Sequence, residues 1–273
     1  HKIYDGKEKQ TDLRVTVSTW QSIYKLPASW FSRFDAVMVD EAHQGNTASL
    51  SGILGNVVST PFILGFTGTL EDTKTHEMVL RGLFGKVVRA TTTKEQMDKG
   101  RLAELSIDFA RLRYSDLDCK IVKPLKYAEE IQWLICNKQR NQFIVDEAMN
   151  TDKNVLVLFN FIEKHGDVLI KMAHEHARAA GKQIHYIHGE IDVQERERVR
   201  ALVEQHDNIV IFASYGTFSM GINMKNLHKV IFAHPFKGRI RNLQTIGRGL
   251  RIAEDKTSVT LVDICDDLTY NTK

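Results

Sequence analysis

Short, unbroken apolar runs punctuate the chain. The first part carries Val15-Thr16-Val17, Ala36-Val37-Met38-Val39 and Phe62-Ile63-Leu64. Later come Val155-Leu156-Val157-Leu158-Phe159, Ile184-His185-Tyr186-Ile187, Ile209-Val210-Ile211-Phe212, Val230-Ile231-Phe232 and Val259-Thr260-Leu261-Val262. They are rich in β-branched and aromatic residues and do not alternate, the pattern of strands buried on both faces of a parallel sheet. The stretches between them are longer and helical in period. Gly166 to Gly181 places Val168, Leu169, Met172 and Ala173 on one side, and Asp192 to Gln205 carries Val199, Leu202 and Val203 as an apolar stripe. Strand alternating with helix predicts an α/β fold, a doubly wound parallel sheet with right-handed crossovers.

A boundary is expected around residues 100–125. A polar helix, Thr93 to Lys99, ends at Gly100, and an extended stretch of mixed charge runs to Pro124. A long helical segment, Tyr127 to Met149, then opens a second unit. This gives two domains, 1–105 and 106–273, in line with about 150 residues per domain.

Hydrophobic residues make up 42% and charged residues 26%, which excludes a disordered chain. No apolar run approaches the roughly 20 residues of a membrane span, so an integral membrane protein is excluded. The net charge of +3 is shared almost evenly about residue 105, so it permits a nucleic-acid partner without requiring one. Cys119, Cys136 and Cys265 form no CxxC pair, and a reducing, cytoplasmic setting fits. The start lacks both a Met and an apolar signal core, so the chain is expected to begin inside a longer protein.

The most informative string is Val37-Met38-Val39-Asp40-Glu41-Ala42-His43. An Asp-Glu pair after a strand is usually a solvated strand end. Here a buried strand runs straight into the full Asp-Glu-Ala-His string. At the C-terminal edge of a parallel sheet, side chains project into the crevice where ligands bind. One carboxylate there can hold Mg²⁺ through water, and the other can deprotonate an attacking water. A second string is Gln244-Thr245-Ile246-Gly247-Arg248-Gly249-Leu250-Arg251. Arg248 and Arg251 share one face of a helix, which suits phosphate oxygens. Alone, the same spacing describes a basic helix face in water or against DNA.

Together these strings resemble motifs II and VI of superfamily 2 helicases, and what lies between keeps the family's order. Gly65-Phe66-Thr67-Gly68-Thr69-Leu70 looks like motif III. Ile209 to Asn223, with Ala213-Ser214-Tyr215-Gly216-Thr217 and Gly221-Ile222-Asn223, is similar to motif V. Ser18-Thr19-Trp20-Gln21 resembles the segment that contacts a DNA strand, and Asn160-Phe161 and His188-Gly189 fall where the second domain faces nucleic acid. Within the superfamily the likeness is closest to the UvsW-type recombination helicases of T-even-like phages.

The resemblance implies two RecA-like domains, the first truncated at its N-terminus, that close on ATP and Mg²⁺ while single-stranded or branched DNA lies across both. Asp40 would coordinate Mg²⁺ and Glu41 would be the general base. His43, Thr67 and Thr69 would couple the nucleotide to the DNA side. Gln244, Arg248 and Arg251 would reach phosphates, with Gly221 and Asn223 lining the nucleotide cleft. Asn223 stands where the family often has an acid. Thr19, Gln21, Ser214 and Thr217 would touch the DNA backbone, contacts that position without reading sequence. The implied activity is that of an ATP-dependent DNA helicase or translocase on branched or recombining DNA. A nucleic-acid-binding or strand-annealing module with a degenerate nucleotide site, and the motor of a restriction or repair complex, stand as alternatives.

No Gly-x-x-x-x-Gly-Lys-Ser/Thr loop occurs, since Gly85-Lys86 precedes Val87 and Gly181-Lys182 precedes Gln183. The chain is therefore expected to be a helicase fragment that hydrolyses ATP negligibly alone. His174 and His176 sit two apart on a helix and are not expected to share a metal. Trp20, Trp30 and Trp133 are expected to pack rather than stack on bases. Tyr215 could do either, and Lys237, Arg239 and Arg241 could meet DNA phosphates or solvent. Oligomeric state is not legible.

Overall fold

The computed structural model describes the chain except residues 5–7, 11, 44–47, 58, 69, 71–73, 220–223, 236–246, 248–249, 253–255 and 270–273. It divides between Ala90 and Thr91 into two units.

The first unit runs β1 (Lys2–Ile3), β2 (Val17–Ser18), α1 (Trp20–Ile23), α2 (Ala28–Phe31), β3 (Ala36–Val39), α3 (Ala48–Asn56), β4 (Phe62–Gly65) and α4 (Lys74–Phe84). Strands β1 and β2 pair in parallel, as do β3 and β4, the latter from Ala36 opposite Phe62 to Val39 opposite Gly65. Ile3, Trp30, Phe31, Ile53 and Val57 form the core, with Trp20, Val37 and Ile63 packed against it. The alternate residues Met38, Phe62 and Leu64 are exposed. The runs therefore read as buried on both faces are covered on one face only, because the described helices pack against a single side of β3 and β4. Val15 and Val17 are exposed as well, and β2 is shorter than its apolar run suggested.

The second unit runs α5 (Thr93–Asp98), β5 (Glu104–Arg113), α6 (Asp116–Val122), α7 (Tyr127–Cys136), α8 (Lys138–Met149), β6 (Val155–Phe159), a π turn (Ile162–Gly166) and α9 (Asp167–Glu175). A short 3₁₀ turn (Ala179–Gly181), β7 (Gln183–Ile187), α10 (Val193–Gln205), β8 (Ile209–Ser214), α11 (Tyr215–Ser219), β9 (Lys229–Phe232) and β10 (Ser258–Asp267) follow. Its six strands form one sheet in the order β5-β10-β9-β6-β8-β7, every pair parallel. Neighbours out of sequence order mean crossovers, as the strand–helix alternation predicts.

Alternate side chains of each central strand enter different cores. Leu156 and Leu158 join Ile209, Ile211, Val199 and Val203 on one face. Val155, Val157 and Phe159 join Val210, Phe212, Ile144 and Leu169 on the other. Fully burying each such side chain contributes about 1.5–3 kcal/mol. This is why the unbroken apolar runs of the second unit mark its strands so plainly.

Three local features differ from the sequence reading. The stretch read as extended to Pro124 holds β5 and then α6, which Ser115 opens with a capping box to Asp118. The helix read as continuous from Tyr127 to Met149 breaks at Asn137, whose side chain accepts from the Arg140 N–H and caps α8. The divide expected at residue 105 falls instead at 90/91. Strand β5 pairs with β10 along its whole length, and the Ala103 and Glu104 N–H groups donate to the carbonyls of Leu250 and Thr257, so residues 91–105 go with the second unit.

Buried polar groups tie the second unit together. The Asn154 amide donates to the carbonyls of Val203, His206 and Asn226, and its oxygen accepts from the Ile209 N–H. At the C-terminal ends of β5, β9 and β10, Tyr114 donates to Asp266, and Arg140 donates to Asp266 and to the Ala233 carbonyl.

Candidate functional site

Strand β3 delivers Asp40 and Glu41 to its C-terminal edge. The Glu41 N–H donates to Asp40 Oδ1 at 2.9 Å, and Glu41 takes φ 52°, a left-handed conformation unusual outside glycine. The turn is held from below, where the Phe66 N–H donates to the Val39 carbonyl and the Ala42 N–H donates to the Phe66 carbonyl. The end of β3 is thereby stitched to the start of the motif III segment after β4. Gly65 is required at that seam, because a Cβ there would meet Ala42 Cβ and Phe84 Cγ at 2.9 Å each. A costly backbone angle kept by surrounding bonds is characteristic of functional turns.

His43 turns inward and links both segments. Its Nδ1 lies 3.0 Å from Thr67 Oγ1 and 3.3 Å from Glu41 Oε2. His43 is nearly buried while Glu41 stays half-exposed, open to water. Asp40, Glu41, His43 and Thr67 thus come together as the sequence suggested, and Thr69 lies outside the described residues. Asp40 and Glu41 offer hard carboxylate oxygens side by side. Among the described residues no group of three or more His, Cys, Asp or Glu gathers into a cage. One or two carboxylates suit Mg²⁺, which keeps several waters and shares phosphate oxygens, so the donor set fits that ion.

Thr19 and Gln21 stand exposed at the start of α1, with Thr19 Oγ1 2.9 Å from Ser22 Oγ. Both are open to a ligand. Ser214 and Thr217 are not. They are buried, and their hydroxyls bond each other at 2.9 Å across the start of α11. Among the described residues of this motif, both hydroxyls are turned to each other rather than to solvent, and Gly216 between them is exposed. Tyr215 packs in the core beside Phe232 rather than outward. Arg251 is exposed. Gly221, Asn223, Gln244 and Arg248 lie outside the described residues, as do Lys237, Arg239 and Arg241.

The sequence reading missed Lys256. Its ammonium is buried and donates to the carbonyls of Lys225 and Arg251, both at 2.9 Å, joining the segment after motif V to the end of motif VI. Burial pushes its pKa down to about 8, with Glu204 opposing. A lone lysine in a polar stretch gives no pattern that announces such a role.

Residues 139–253 match the helicase conserved C-terminal domain, and residues 1–72 match the res subunit of type III restriction enzymes. The chain is 37% identical over 265 residues to the ATP-dependent DNA helicase uvsW of Enterobacteria phage T4, across 96% of this chain and 52% of that protein. The crystal structure of T4 UvsW aligns with a TM-score of 0.53 and 34% identity over 100% of this chain and 55% of that one. A fragment of a putative HsdR subunit of a type I restriction enzyme from Vibrio vulnificus YJ016 aligns with a TM-score of 0.70 over 100% of this chain and 51% of that one. At 18% identity the latter is a likeness of fold alone. The six-stranded parallel sheet is that of RecA-like helicase domains. The chain spans about half the length of its first curated relative and less of two others.

Proposed function

Because the chain belongs to the superfamily 2 helicases, we propose that it forms the motor of an ATP-dependent DNA helicase or translocase working on branched or recombining DNA. The observation that carries the reading is the Asp40-Glu41-Ala42-His43 turn, with Glu41 at a positive φ and His43 bonded to Thr67. A pure binding or annealing module has no need to hold a solvent-reached carboxylate in a strained turn wired to a second motif.

In this account Asp40 would hold Mg²⁺ through water, and Glu41 accepts the proton of the attacking water. Bound Mg²⁺ would supply charge neutralisation on the phosphate oxygens of ATP. His43 passes the position of Glu41 to Thr67, and with Thr69 it links hydrolysis to the DNA side. Gln244, Arg248 and Arg251 meet phosphate oxygens, and Gly221 and Asn223 leave room for the nucleotide. Thr19 and Gln21 touch the DNA backbone. The 273 residues contain no Gly-rich Lys-Ser/Thr loop, and the curated relatives are longer, so we assign the phosphate cradle to another part of the full-length protein. We place its work in the cell interior. Among the described residues no helix is long and apolar enough to cross a membrane.

The match of residues 1–72 to a restriction subunit favours a second reading, the motor of a restriction or repair complex, which shares this chemistry and differs in partners. Steady-state ATPase assays with forked and with linear DNA test the proposal. Turnover by the full-length protein that rises most with forked DNA, and near-zero turnover by these 273 residues alone, is the expected result. Helicase-like turnover by the 273 residues alone would overturn it.

A further inference from the structure

We propose that His76, outside every motif above, is a positioning residue for the Asp-Glu-Ala-His turn. It sits in the first turn of α4 and is buried at 4% exposure. Its Nε2 lies 2.6 Å from the backbone carbonyl of His43. A carbonyl only accepts, so Nε2 carries the proton and donates. The other ring nitrogen, Nδ1, is buried without a hydrogen-bond partner. The ring is therefore spent on one contact, and that contact ends the catalytic turn.

The same helix grips the turn a second time. Phe84, at its far end, closes over Gly65, where a Cβ would collide with both Phe84 and Ala42. Leu80 between them is buried. Helix α4 thus forms a back wall that clamps the turn at His43 and at the seam beneath Ala42. From His43 the clamp reaches the chemistry in one step, because the His43 ring contacts both Glu41 Oε2 and Thr67 Oγ1. Release of the His43 carbonyl would let that ring tilt. Glu41 would keep its carboxylate but lose its aim, and misplacing a reacting group by about 1 Å costs up to about a hundredfold in rate.

The inference rests on reading Glu41 as the general base, and the test separates the two. In the full-length protein, His76→Leu removes the donor and keeps most of the volume, while His76→Gln returns an N–H at similar reach. Forked-DNA-stimulated kcat and KM for ATP are measured for each. Hydrogen exchange of the 36–43 segment is measured without nucleotide, where the Ala42 N–H reports the turn.

For the leucine variant, the expected result is a kcat down about tenfold or more, KM within about twofold, and exchange of the turn faster by about tenfold. The glutamine variant restores all three to within about twofold of wild type. If the leucine variant does not fold, His76→Met, with a more adaptable side chain, takes its place. Unchanged kcat and exchange in the donorless variant overturn the proposal, and so do equal losses in the glutamine and donorless variants, since the hydrogen bond would then not be the agent. If the wild-type protein lacks DNA-stimulated turnover, the motor reading fails instead. The exchange comparison then still decides whether His76 holds the turn.

Discussion

Arg140 Nε donates to Asp266 Oδ1 at 2.9 Å across 126 residues of sequence, and neither side chain meets solvent. Tyr114 donates to the same carboxylate oxygen at 2.5 Å. A buried pair broken on one side leaves an uncompensated charge, a loss of about 3–5 kcal/mol. Arg140→Met is therefore expected to lower the unfolding free energy of the second unit by that amount in urea titrations. Arg140→Met with Asp266→Leu should cost less than the single change. A single variant as stable as wild type would contradict this role.

His165 and His234 make the same unit acid-sensitive. Burial, then the Arg140 guanidinium and His234, pushes the His165 pKa down from 6.5 to about 3. Burial, then Arg140, pushes His234 down to about 4. The unfolded chain takes up these protons near pH 6.5 while the folded unit does not, so stability is full above that pH and falls below it. The expected loss is about 1.4 kcal/mol per pH unit for each histidine, ending near pH 4 for His234 and near pH 3 for His165. Unfolding titrations between pH 7.5 and 4.5 check the slope. A flat profile, or one unchanged by replacing both histidines with Gln, would contradict it.

Gly65→Val tests the seam beneath the turn. Its Cβ would need to displace Ala42 or Phe84 from 2.9 Å. Displacing Ala42 moves the peptide that follows Glu41. We expect kcat of the full-length protein to fall by about tenfold or more, with KM for ATP little changed. Wild-type kcat with a valine there would mean that the turn tolerates movement.

Thr19 and Gln21 are uncharged and exposed, so their contribution to DNA binding separates cleanly from that of cations. Replacing both with Ala should weaken DNA binding by about 5–30-fold, the value of one or two hydrogen bonds at about 1 kcal/mol each. The dependence of affinity on salt should keep its slope, since no counterion-releasing charge is lost. Fluorescence anisotropy at several salt concentrations reads both quantities. Unchanged affinity would remove the two residues from the interface.

The readability of this chain follows how its strands are covered. In the second unit both faces of the sheet are packed, so Val155–Phe159 and Ile209–Phe212 are continuously apolar and announce themselves. Edge strand β5 reads only as part of an extended stretch, because the alternation of Leu105, Ile107 and Phe109 ends at Arg111, and Ile107 and Phe109 lie exposed among charges. The break at Asn137 falls in the polar run Asn137 to Gln142, a gap in the apolar period between Ile135 and Phe143 that could have shown it. Asp40, Glu41, His43 and Thr67 were legible as a candidate set because two motifs name residue types in a fixed order, and the structure brings the four together. His76 and Lys256 were not, since each acts on backbone carbonyls, which leave no signature in the partner's sequence. For Ser214 and Thr217 the motif names the residues without saying which way they face, and both hydroxyls are buried against each other.

The central claim is that Glu41 accepts the proton of the hydrolytic water. Single-turnover ATP hydrolysis by the full-length protein on forked DNA, wild type against Glu41→Gln, tests it most directly. A general base contributes about 10²–10⁴ in rate, so the variant should bind ATP within about threefold of wild type and hydrolyse it about a hundredfold or more slowly. Hydrolysis within about threefold of wild type, a barrier change of only about 0.7 kcal/mol, would contradict the account.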